Sequence, residues 1–335
     1  MILVIGATGY IGRYFCVEMV ARGIDVLALG RSPQVFRFLE QNNVPCQYFD
    51  FNDSACFDLI PTENVEAIVN LSAKLSEIET PVEEFFSINT IGAYKTLEFA
   101  RKFGIKKVVI TSSHKVYNDL QKDVISEKDG ICFTGSHSLY IISKIAAENL
   151  VEYYNKDFGM NAIALRLTGV HGYGEILGHL KNDGSYQKSA FEIFFEKALK
   201  GGPISVWGDQ TVRRDHIYIY IKDVVTALLA AVRSGDKKGI YNIASGVGYS
   251  QYEEALVLAE IFGKAGQVST VTAEPEKSGL TRGYVYDITK AREELHWAPQ
   301  FTNLRTLYSD YKKEWKSKKY HNYHWIRDDQ KPATL

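Results

Sequence analysis

The sequence has few of the residues from which proteins build metal centres and disulfide frameworks. Four of its 335 residues are cysteines, and they lie too far apart for the short spacings typical of zinc ligands. Three of them stand in apolar or strand-like stretches, which suits buried free thiols. The four are Cys16, Cys46, Cys56 and Cys132. We therefore expect no metal site, no disulfide and a reducing compartment.

Charge of one sign and long apolar runs are scarce as well. The 39 Lys and Arg side chains nearly balance the 40 Asp and Glu side chains, and a net charge of −1 provides no field that attracts nucleic acid or an anionic membrane. No apolar run approaches the roughly 18 residues of a membrane-spanning helix, and the opening run ends too early for a signal peptide. We expect a cytoplasmic protein that binds neither nucleic acid nor membranes.

The beginning of the chain predicts a dinucleotide-binding turn. The apolar run at residues 2–5 predicts a buried parallel strand, and an amphipathic helix is predicted to follow to about Arg22. Between them stands a G-x-x-G-x-x-G spacing, which differs from the common G-x-G-x-x-G fingerprint. Glycines let backbone approach a ligand, and the helix N-terminus favours a pyrophosphate, although a purely structural turn is the alternative. The candidate cofactor residues are Gly6, Thr8, Gly9, Tyr10, Ile11 and Gly12.

The end of the second predicted strand bears on which dinucleotide binds. NAD-binding proteins of this kind carry an acid there for the ribose 2′-hydroxyl. This chain instead has Arg31 and Ser32, a cation and a hydroxyl that suit a 2′-phosphate. We therefore predict that NADP(H) is favoured over NAD(H), with a solvated Arg31 as the alternative. Asp50 and Phe51 follow the third predicted strand and are predicted to flank the adenine.

Strands and helices continue to alternate and predict an α/β fold, a Rossmann-type doubly wound parallel sheet. Further strands are expected at residues 66–71, 107–111 and 161–167, with helices at 82–103 and 137–154 between them. Ligands meet the carboxyl ends of strands in such a sheet. The residues at the end of the fourth strand are therefore further cofactor candidates, namely Leu71, Ser72 and Ala73.

Tyr140 and Lys144 are spaced to share one face of the helix predicted at residues 137–154. A nearby cation favours the phenolate, so we expect Lys144 to lower the pKa of Tyr140 from its ordinary value of about 10. Tyr140 would then exchange a proton with a substrate hydroxyl or carbonyl. The pattern alone is weak, because a core aromatic beside a solvated lysine has the same spacing. Ser113, at the end of the fifth predicted strand, lies where it could join the pair.

After residue 168 the alternation gives way to a glycine-rich, aromatic stretch at 171–186, which predicts a loop. Helices are expected at 189–200, 223–232 and 252–262, and the tail at 311–324 predicts a solvated terminal helix. Strands are expected at 204–207 and 240–242. The predicted domains are a dinucleotide-binding domain, residues 1–168 with 215–245, and a smaller α/β substrate-binding lobe, residues 169–214 with 246–335.

Together these motifs resemble the extended short-chain dehydrogenase/reductase family, which includes nucleotide-sugar epimerases, dehydratases and reductases. The resemblance covers roughly residues 2–315 and includes the family patterns S-S-x-x-V-Y-G, Y-x-x-x-K, N-x-x-G and R-D-x-I-Y. The matching residues are Ser113, Tyr117, Tyr140, Lys144, Asn89, Gly92, Arg214 and Tyr218. Asn118 replaces the usual glycine, and in the R-x-x-N-V-Y-G stretch Thr168 replaces Asn and His171 replaces Tyr.

The resemblance implies a role for each matching residue. Ser113 and Tyr140 would act on the substrate oxygen, and Lys144 would also bind the nicotinamide ribose. Asn89 would lie at the cofactor, and Arg214 would bind the diphosphate of a nucleotide-sugar substrate. Two further substrate-binding candidates are His114 and Arg282. A family-type homodimer would form through the helices near Gly92 and Tyr140.

The reaction itself is predicted from differences within the family. Its 4,6-dehydratases carry an Asp-Glu pair directly after the catalytic Ser or Thr, where this chain has His114 and Lys115, so dehydration is not expected. The NADP-type loop favours a 4-ketoreductase, with a C4 epimerase that recycles NAD(P) as the alternative. A cofactor-sensing regulator without catalysis is less favoured, because the Tyr140–Lys144 pair is present.

Overall fold

The computed structural model describes residues 1–75, 81–118, 120–131, 137–175, 178–180, 185–215, 219–264, 269–279 and 282–320. Its strands are β1 (Ile2–Ile5), β2 (Val26–Gly30), β3 (Cys46–Tyr48), β4 (Ala67–Asn70), β5 (Lys107–Ser113), β6 (Val124–Ile125), β7 (Asn161–Leu167), β8 (Val170–His171), β9 (His179–Leu180), β10 (Tyr186–Gln187), β11 (Ile204–Trp207), β12 (Ile219–Tyr220), β13 (Gly239–Ile243), β14 (Val271–Glu274) and β15 (Val285–Tyr286). Its α-helices are α1 (Tyr10–Ala21), α2 (Pro33–Gln41), α3 (Ala55–Asp58), α4 (Gly92–Lys102), α5 (Leu139–Asp157), α6 (Ala190–Lys200), α7 (Ile221–Arg233), α8 (Gln251–Phe262), α9 (Thr289–Glu294) and α10 (Leu304–Ser317). Cys132 and Tyr218 lie outside the described residues.

Seven parallel strands form the central sheet, in the order β13-β7-β5-β4-β1-β2-β3. Alternate residues of a strand point to opposite faces, and β1 accordingly places Ile2 and Val4 in one apolar cluster and Leu3 and Ile5 in another. Helices α1 and α7 contribute to the first cluster, and α4 contributes to the second. The predicted Rossmann-type α/β fold is confirmed.

The sheet places its ligand-binding edge beside β1. The chain builds β1, β2 and β3 in one direction and then returns to add β4 on the other side of β1. Such a reversal opens a crevice at the carboxyl ends of the two central strands. The loops after β1 and β4 both begin at this crevice, where a ligand site is expected in a sheet of this kind.

The long helix predicted at residues 82–103 is divided in the structure. A π-helical segment, Phe85–Ile91, precedes α4, which begins at Gly92. A Cβ atom at Gly92 would lie 3.0 Å from the ring of Phe51, so the glycine lets α4 pack closely against the loop after β3. π-Helical segments are often found at functional sites.

The tail at residues 311–324 was predicted to be a solvated helix; residues 311–317 belong to α10, and of these Tyr311 alone is buried. α10 begins at Leu304, and Leu307, Tyr308 and Tyr311 are at most 2% exposed. These side chains recur every three or four positions, so one face of α10 packs onto α8 while its exposed lysines lie elsewhere on the helix. The predicted helix beyond residue 320 lies outside the described residues.

The stretch predicted as a loop, residues 171–186, contains short strands and a buried histidine. β8 pairs with β12, and His171 stacks on Tyr311 with 5.2 Å between ring centroids. The edge of Phe191 also contacts His171, and burial lowers the pKa of the imidazole to about 3. The His-for-Tyr difference from the family pattern therefore lies in an aromatic core. In the described part of the chain, no helix is both long and apolar enough to cross a membrane.

Candidate active site

The glycine turn after β1 is closely packed against the rest of the crevice. Gly6 has a φ of +79°, and a Cβ atom there would lie 2.7 Å from the backbone nitrogen of Ser72. A Cβ atom at Gly12 would lie 2.5 Å from the carbonyl oxygen of Gly6. Gly6 and Gly12 therefore let the turn, α1 and the loop after β4 approach one another to distances that larger residues would prevent.

The N-terminus of α1 fits the pyrophosphate of a dinucleotide. Gly9 is its N-cap residue, no side chain caps the helix, and no acidic residue stands in its first turn. The first amide groups and the positive end of the helix dipole are thus left for an anion. Thr8 packs against Gly30 at the end of β2, whereas the Tyr10 hydroxyl lies close to Gly172. The backbone of the turn would hold the pyrophosphate.

Asn89 connects the loop after β4 to α5. Its side-chain oxygen accepts a hydrogen bond of 2.8 Å from the backbone N–H of Lys74, and its amide donates to the carbonyl of Lys74 at 3.1 Å. The same amide donates to the hydroxyl of Ser143 at 2.9 Å, and that hydroxyl donates to the carbonyl of Tyr140 at 2.7 Å. Asn89 is therefore a buried side chain that holds α5 against the loop after β4. That loop contains the predicted cofactor residues Leu71, Ser72 and Ala73.

Ser113, Tyr140 and Lys144 come together where β5 ends. The side chain of Ser113 lies close enough to the Tyr140 phenol to lower its pKa, and the Ser113 hydroxyl also accepts from the backbone N–H of Lys115 at 3.2 Å. Lys144 is 2% exposed, its Nζ donates to the carbonyl of Thr111 at 2.8 Å, and it lies 5.9 Å from the centroid of the Tyr140 ring. α5 begins at Leu139 with Ser138 as its N-cap, so Tyr140 and Lys144 lie in the first two turns of the helix.

The ionisation of the pair differs from the sequence-based expectation. Burial raises the pKa of Tyr140 above its ordinary value, and the nearby side chain of Ser113 lowers it only in part. Burial also lowers the pKa of Lys144 to about 8, although the charge of Glu148 raises it. The expected lowering of the Tyr140 pKa by Lys144 is not found, and burial sets the direction of the shift. Tyr140 is thus a protonated phenol at neutral pH.

The two residues predicted to contact a 2′-phosphate, Arg31 and Ser32, already contact other groups of the protein. Arg31 follows β2 with its side chain 58% exposed, and its guanidinium lies 3.2 Å from the carboxylate of Asp50. Partial burial raises the pKa of Asp50, but a hydrogen bond from Asn52 and the pairing with Arg31 bring it below its usual value. Ser32 is the N-cap of α2. Phe51 is buried against Phe49 and Phe57.

One of the predicted substrate residues, His114, connects the end of β5 with β15. Nδ1 of His114, the residue after Ser113, lies 2.8 Å from the hydroxyl oxygen of Tyr286. Tyr286 in turn meets the ring of Tyr284 edge to face, with 5.8 Å between centroids. His114 is therefore next to Ser113 in the chain and also contacts Tyr286 of β15. No sequence pattern predicted a role for Tyr286, since its contact with His114 joins residues far apart in the chain.

Two guanidinium groups lie over the ring of Tyr284, the residue before β15. Arg214 and Arg282 each lie 5.5 Å from the centroid of Tyr284. Nε of Arg214 donates to the carbonyl of Arg282, whose own guanidinium donates to the carbonyls of Leu120 and Lys122. The structure thus brings together the two arginines that the sequence named separately, and two adjacent cations suit a diphosphate.

The site contains no arrangement that would hold a metal ion in the described residues. No group of three or more His, Cys, Asp and Glu side chains has suitable geometry there. Cys16, Cys46 and Cys56 are free thiols.

Comparison with known proteins identifies the family of the chain. The family model described as "NAD dependent epimerase/dehydratase family" matches residues 2–244. A UDP-glucose 4-epimerase from Mycolicibacterium smegmatis is 28% identical over 309 residues, which cover 89% of this chain and 93% of the relative. A dTDP-4-dehydro-6-deoxy-D-allose reductase from a Streptomyces species is 25% identical over 310 residues, covering 89% and 91%.

A solved structure has the same fold along nearly its whole length. UDP-glucose-4-epimerase from Stenotrophomonas maltophila, with bound NAD and formylated UDP-arabinopyranose, superposes with a TM-score of 0.75 at 20% identity, covering 94% of this chain and 98% of that one. The match of the family model extends over more than half of the chain, through the glycine turn, β5 and α5. The chain therefore belongs to the NAD dependent epimerase/dehydratase family, and it is an enzyme of the short-chain dehydrogenase/reductase type.

Proposed function

We propose that this enzyme catalyses a reversible carbonyl–hydroxyl step at C4 of a nucleotide-diphosphate sugar, with Tyr140 as the proton donor and acceptor. The observation that carries the proposal is the contact between Ser113 and Tyr140 beside the buried Lys144. When bound, the dinucleotide supplies or accepts the hydride. Tyr140 gives a proton to the carbonyl oxygen or takes one from the hydroxyl, and Ser113 orients that oxygen by a hydrogen bond.

Two overall reactions use this step. Net reduction of a 4-keto sugar by NADPH, a 4-ketoreductase reaction, is favoured by Arg31, which suits a 2′-phosphate. C4 epimerisation with recycled NAD(P) is the second candidate. It is favoured by Asp50, which pairs with Arg31, and by the UDP-glucose 4-epimerases among the relatives.

A turnover assay distinguishes the two. The purified enzyme is incubated with UDP-glucose and NAD⁺, and separately with a 4-keto sugar nucleotide and NADPH, while product stereochemistry and NADPH absorbance are followed. Net oxidation of NADPH with formation of the 4-hydroxy sugar supports the reductase. Inversion at C4 without net NADPH consumption replaces it by the epimerase, and no change in either mixture contradicts the proposed function.

We predict that NADP(H) binds more tightly than NAD(H) through Arg31. Arg31→Ala should weaken NADPH binding by roughly ten- to a hundredfold, as expected for a lost charge-assisted contact, and should leave NADH binding nearly unchanged. Asp50→Asn should strengthen NADPH binding, because it removes the carboxylate that competes for the same guanidinium. Dissociation constants measured by calorimetry test this. Equal affinities for both dinucleotides in the wild type would refute it.

We propose that Arg214 binds the diphosphate of the substrate. Arg214→Ala should raise the KM for the nucleotide sugar by roughly ten- to a hundredfold and leave the dinucleotide affinity nearly intact. Arg213 provides the control, since it is the adjacent arginine but forms an exposed ion pair with Glu253. If Arg213→Ala carries the defect instead, the assignment of Arg214 is wrong.

We propose a homodimer formed through the outer faces of α4 and α5. Large apolar side chains are exposed there, on two helices that pack side by side. They are Tyr94, Ile142 and Tyr153, with Ile91 at the start of α4. Tyr94→Glu with Tyr153→Glu should give a monomer in analytical ultracentrifugation, whereas Leu256→Glu, a matched change at an exposed site on α8, should not. A wild-type protein that sediments as a monomer would contradict the proposal.

We also propose that residues 1–168 with 215–245 hold the dinucleotide, and that residues 169–214 with 246–335 hold the sugar nucleotide. The parallel pairing of β13 with β7 supports this division, because it returns the later segment to the central sheet. The cytoplasmic location stays a prediction from cysteine usage and from the composition of the chain.

A further inference from the structure

Three successive residues at the end of β5 contact α5 at intervals of one helical turn. The side chain of Ser113 lies close to the Tyr140 phenol, and the carbonyl of Thr111 accepts from Lys144. The hydroxyl of Ser112 donates to the carboxylate of Glu148 at 2.6 Å. Residues four apart share a helix face, so this row continues the proton-transfer pair by one further turn. Glu148 is the third member of the row, and no role was predicted for it.

Glu148 is held by an arginine from the neighbouring strand. Nε and Nη2 of Arg166 donate to the two carboxylate oxygens of Glu148 at 2.8 and 2.7 Å. Arg166 lies beside Ser112 in the register of β7 against β5, and its Nη1 donates to the hydroxyl of Tyr117. That hydroxyl donates to the side-chain oxygen of Asn242 at 2.9 Å. The ion pair is thus part of a network that joins α5 to three strands.

This pair lies in the interior, where charged groups are costly. Glu148 and Arg166 are each 3% exposed. A buried ion pair often gives no more stability than apolar residues of the same volume, whereas removing one partner is strongly destabilising. Stability alone therefore gives little reason for a charged pair at this position. Its location one turn from Lys144 supplies another reason.

The charge on Lys144 depends on few groups. Tyr140 and Glu148 stand one helical turn before and after it, and its Nζ donates to the carbonyl of Thr111 on β5. Arg166, the charged residue of β7, is paired with Glu148. Burial disfavours the ammonium, and the carboxylate of Glu148 is the charge that favours it. The guanidinium of Arg166 opposes Glu148, since it has the same sign as Lys144.

We propose that Glu148 and Arg166 form a positioning pair that fixes the face of α5 against β5 and sets the charge on Lys144 during proton transfer. Neither residue touches the substrate in this role. Both act through Lys144 and through the Ser113–Tyr140 contact. The kinetic consequences rest on the proposed function, whereas the charge on Lys144 can be measured without turnover.

The two partners should shift Lys144 in opposite directions. Glu148→Gln keeps one side-chain oxygen that can accept from Ser112 and from Nε of Arg166, but it loses the second acceptor oxygen and the negative charge, so the pKa of Lys144 should fall from about 8 by about one unit or more. Arg166→Met removes a positive charge, so the same pKa should rise. A lysine ammonium is lost as pH rises through its pKa. The high-pH limb of kcat should therefore move to lower pH in Glu148→Gln and to higher pH in Arg166→Met.

The experiment follows the Lys144 side chain by NMR titration of the full chain labelled at lysine Cε, with Lys144→Met to assign the signal. Glu148→Asp keeps the charge but shortens the side chain, so the pKa should stay near 8 while kcat falls without a matching rise in KM. Glu260→Gln is the control, because Glu260 forms a similar two-nitrogen contact with Arg305 on the surface. It should change neither the titration nor kcat.

The outcomes separate this inference from the proposed function. Opposite shifts of the Lys144 pKa support the pair even if no nucleotide sugar is turned over. An unchanged pKa in Glu148→Gln, or shifts of the same sign in Glu148→Gln and Arg166→Met, overturns the inference while leaving the role of Tyr140 intact. If Arg166→Met does not fold, the comparison of Glu148→Gln with Glu148→Asp decides the question in the same way.

Discussion

Tyr140→Phe should lower kcat by roughly 10²–10⁴-fold and leave dinucleotide affinity nearly unchanged. The substitution removes the proton that Tyr140 exchanges with the substrate and keeps the ring that packs at the end of β5. Burial keeps the phenol protonated at neutral pH, so in the reductive direction the wild-type side chain is ready to donate. The phenylalanine has no proton to give, and steady-state kinetics with the preferred nucleotide sugar measure the loss.

A second tyrosine on the same helix makes the matched control. Tyr153 lies near the far end of α5 and is half exposed. Tyr153→Phe deletes the same atom from the same helix without touching Ser113 or Lys144, so its kcat should equal that of the wild type. If Tyr140→Phe turns over at a near-normal rate, Tyr140 is not the proton donor, whichever reaction the enzyme catalyses.

Gly6→Ala should abolish measurable dinucleotide binding or weaken it by at least about tenfold, which corresponds to about 1.4 kcal/mol. Two effects add at this position. The backbone has a φ of +79°, which alanine adopts at a cost of about 1–2 kcal/mol. The new methyl group would also lie 2.7 Å from the backbone nitrogen of Ser72 and displace the loop after β4. Such overpacking costs about 1–3 kcal/mol.

Gly23 separates the two effects. It has a φ of +70°, but a Cβ atom there would meet nothing within 4 Å. Gly23→Ala should therefore cost stability through the backbone alone and leave dinucleotide affinity unchanged. Thermal unfolding and equilibrium dialysis on both variants measure the two quantities. Equal affinities in Gly6→Ala and the wild type would show that the turn does not contact the ligand closely.

Local patterns were sufficient to predict the framework of the sheet. The apolar run of β1 and the glycines after it predicted a strand, a turn and a helix, because strand burial and glycine geometry depend on neighbours in sequence. The spacing of Tyr140 and Lys144 likewise predicted a shared helix face. Ser113 was placed correctly beside them, because strands of a parallel sheet end at the same edge.

The contacts that were missed join residues far apart in the chain. Arg31 meets Asp50 across 19 positions, and Glu148 meets Arg166 across 18. Periodicity carries no information about such partners, so a solvated or phosphate-binding Arg31 could not be distinguished from a paired one. The expected effect of Lys144 on Tyr140 also failed, because a spacing gives no measure of burial.

The π-helical segment before α4, Phe85–Ile91, limits how many residues the chain can have at this point. A π-turn contains one residue more than an α-turn, and each residue of an α-helix accounts for about 100° of rotation. Deleting any one residue from Phe85–Ile91 would relax the segment to α-helix and rotate Asn89, or the helix after it, away from its partners. Asn89 would lose Ser143, or Gly92 would turn from Phe51. Relatives and laboratory variants should thus accept substitutions in this segment more readily than any change in its number of residues.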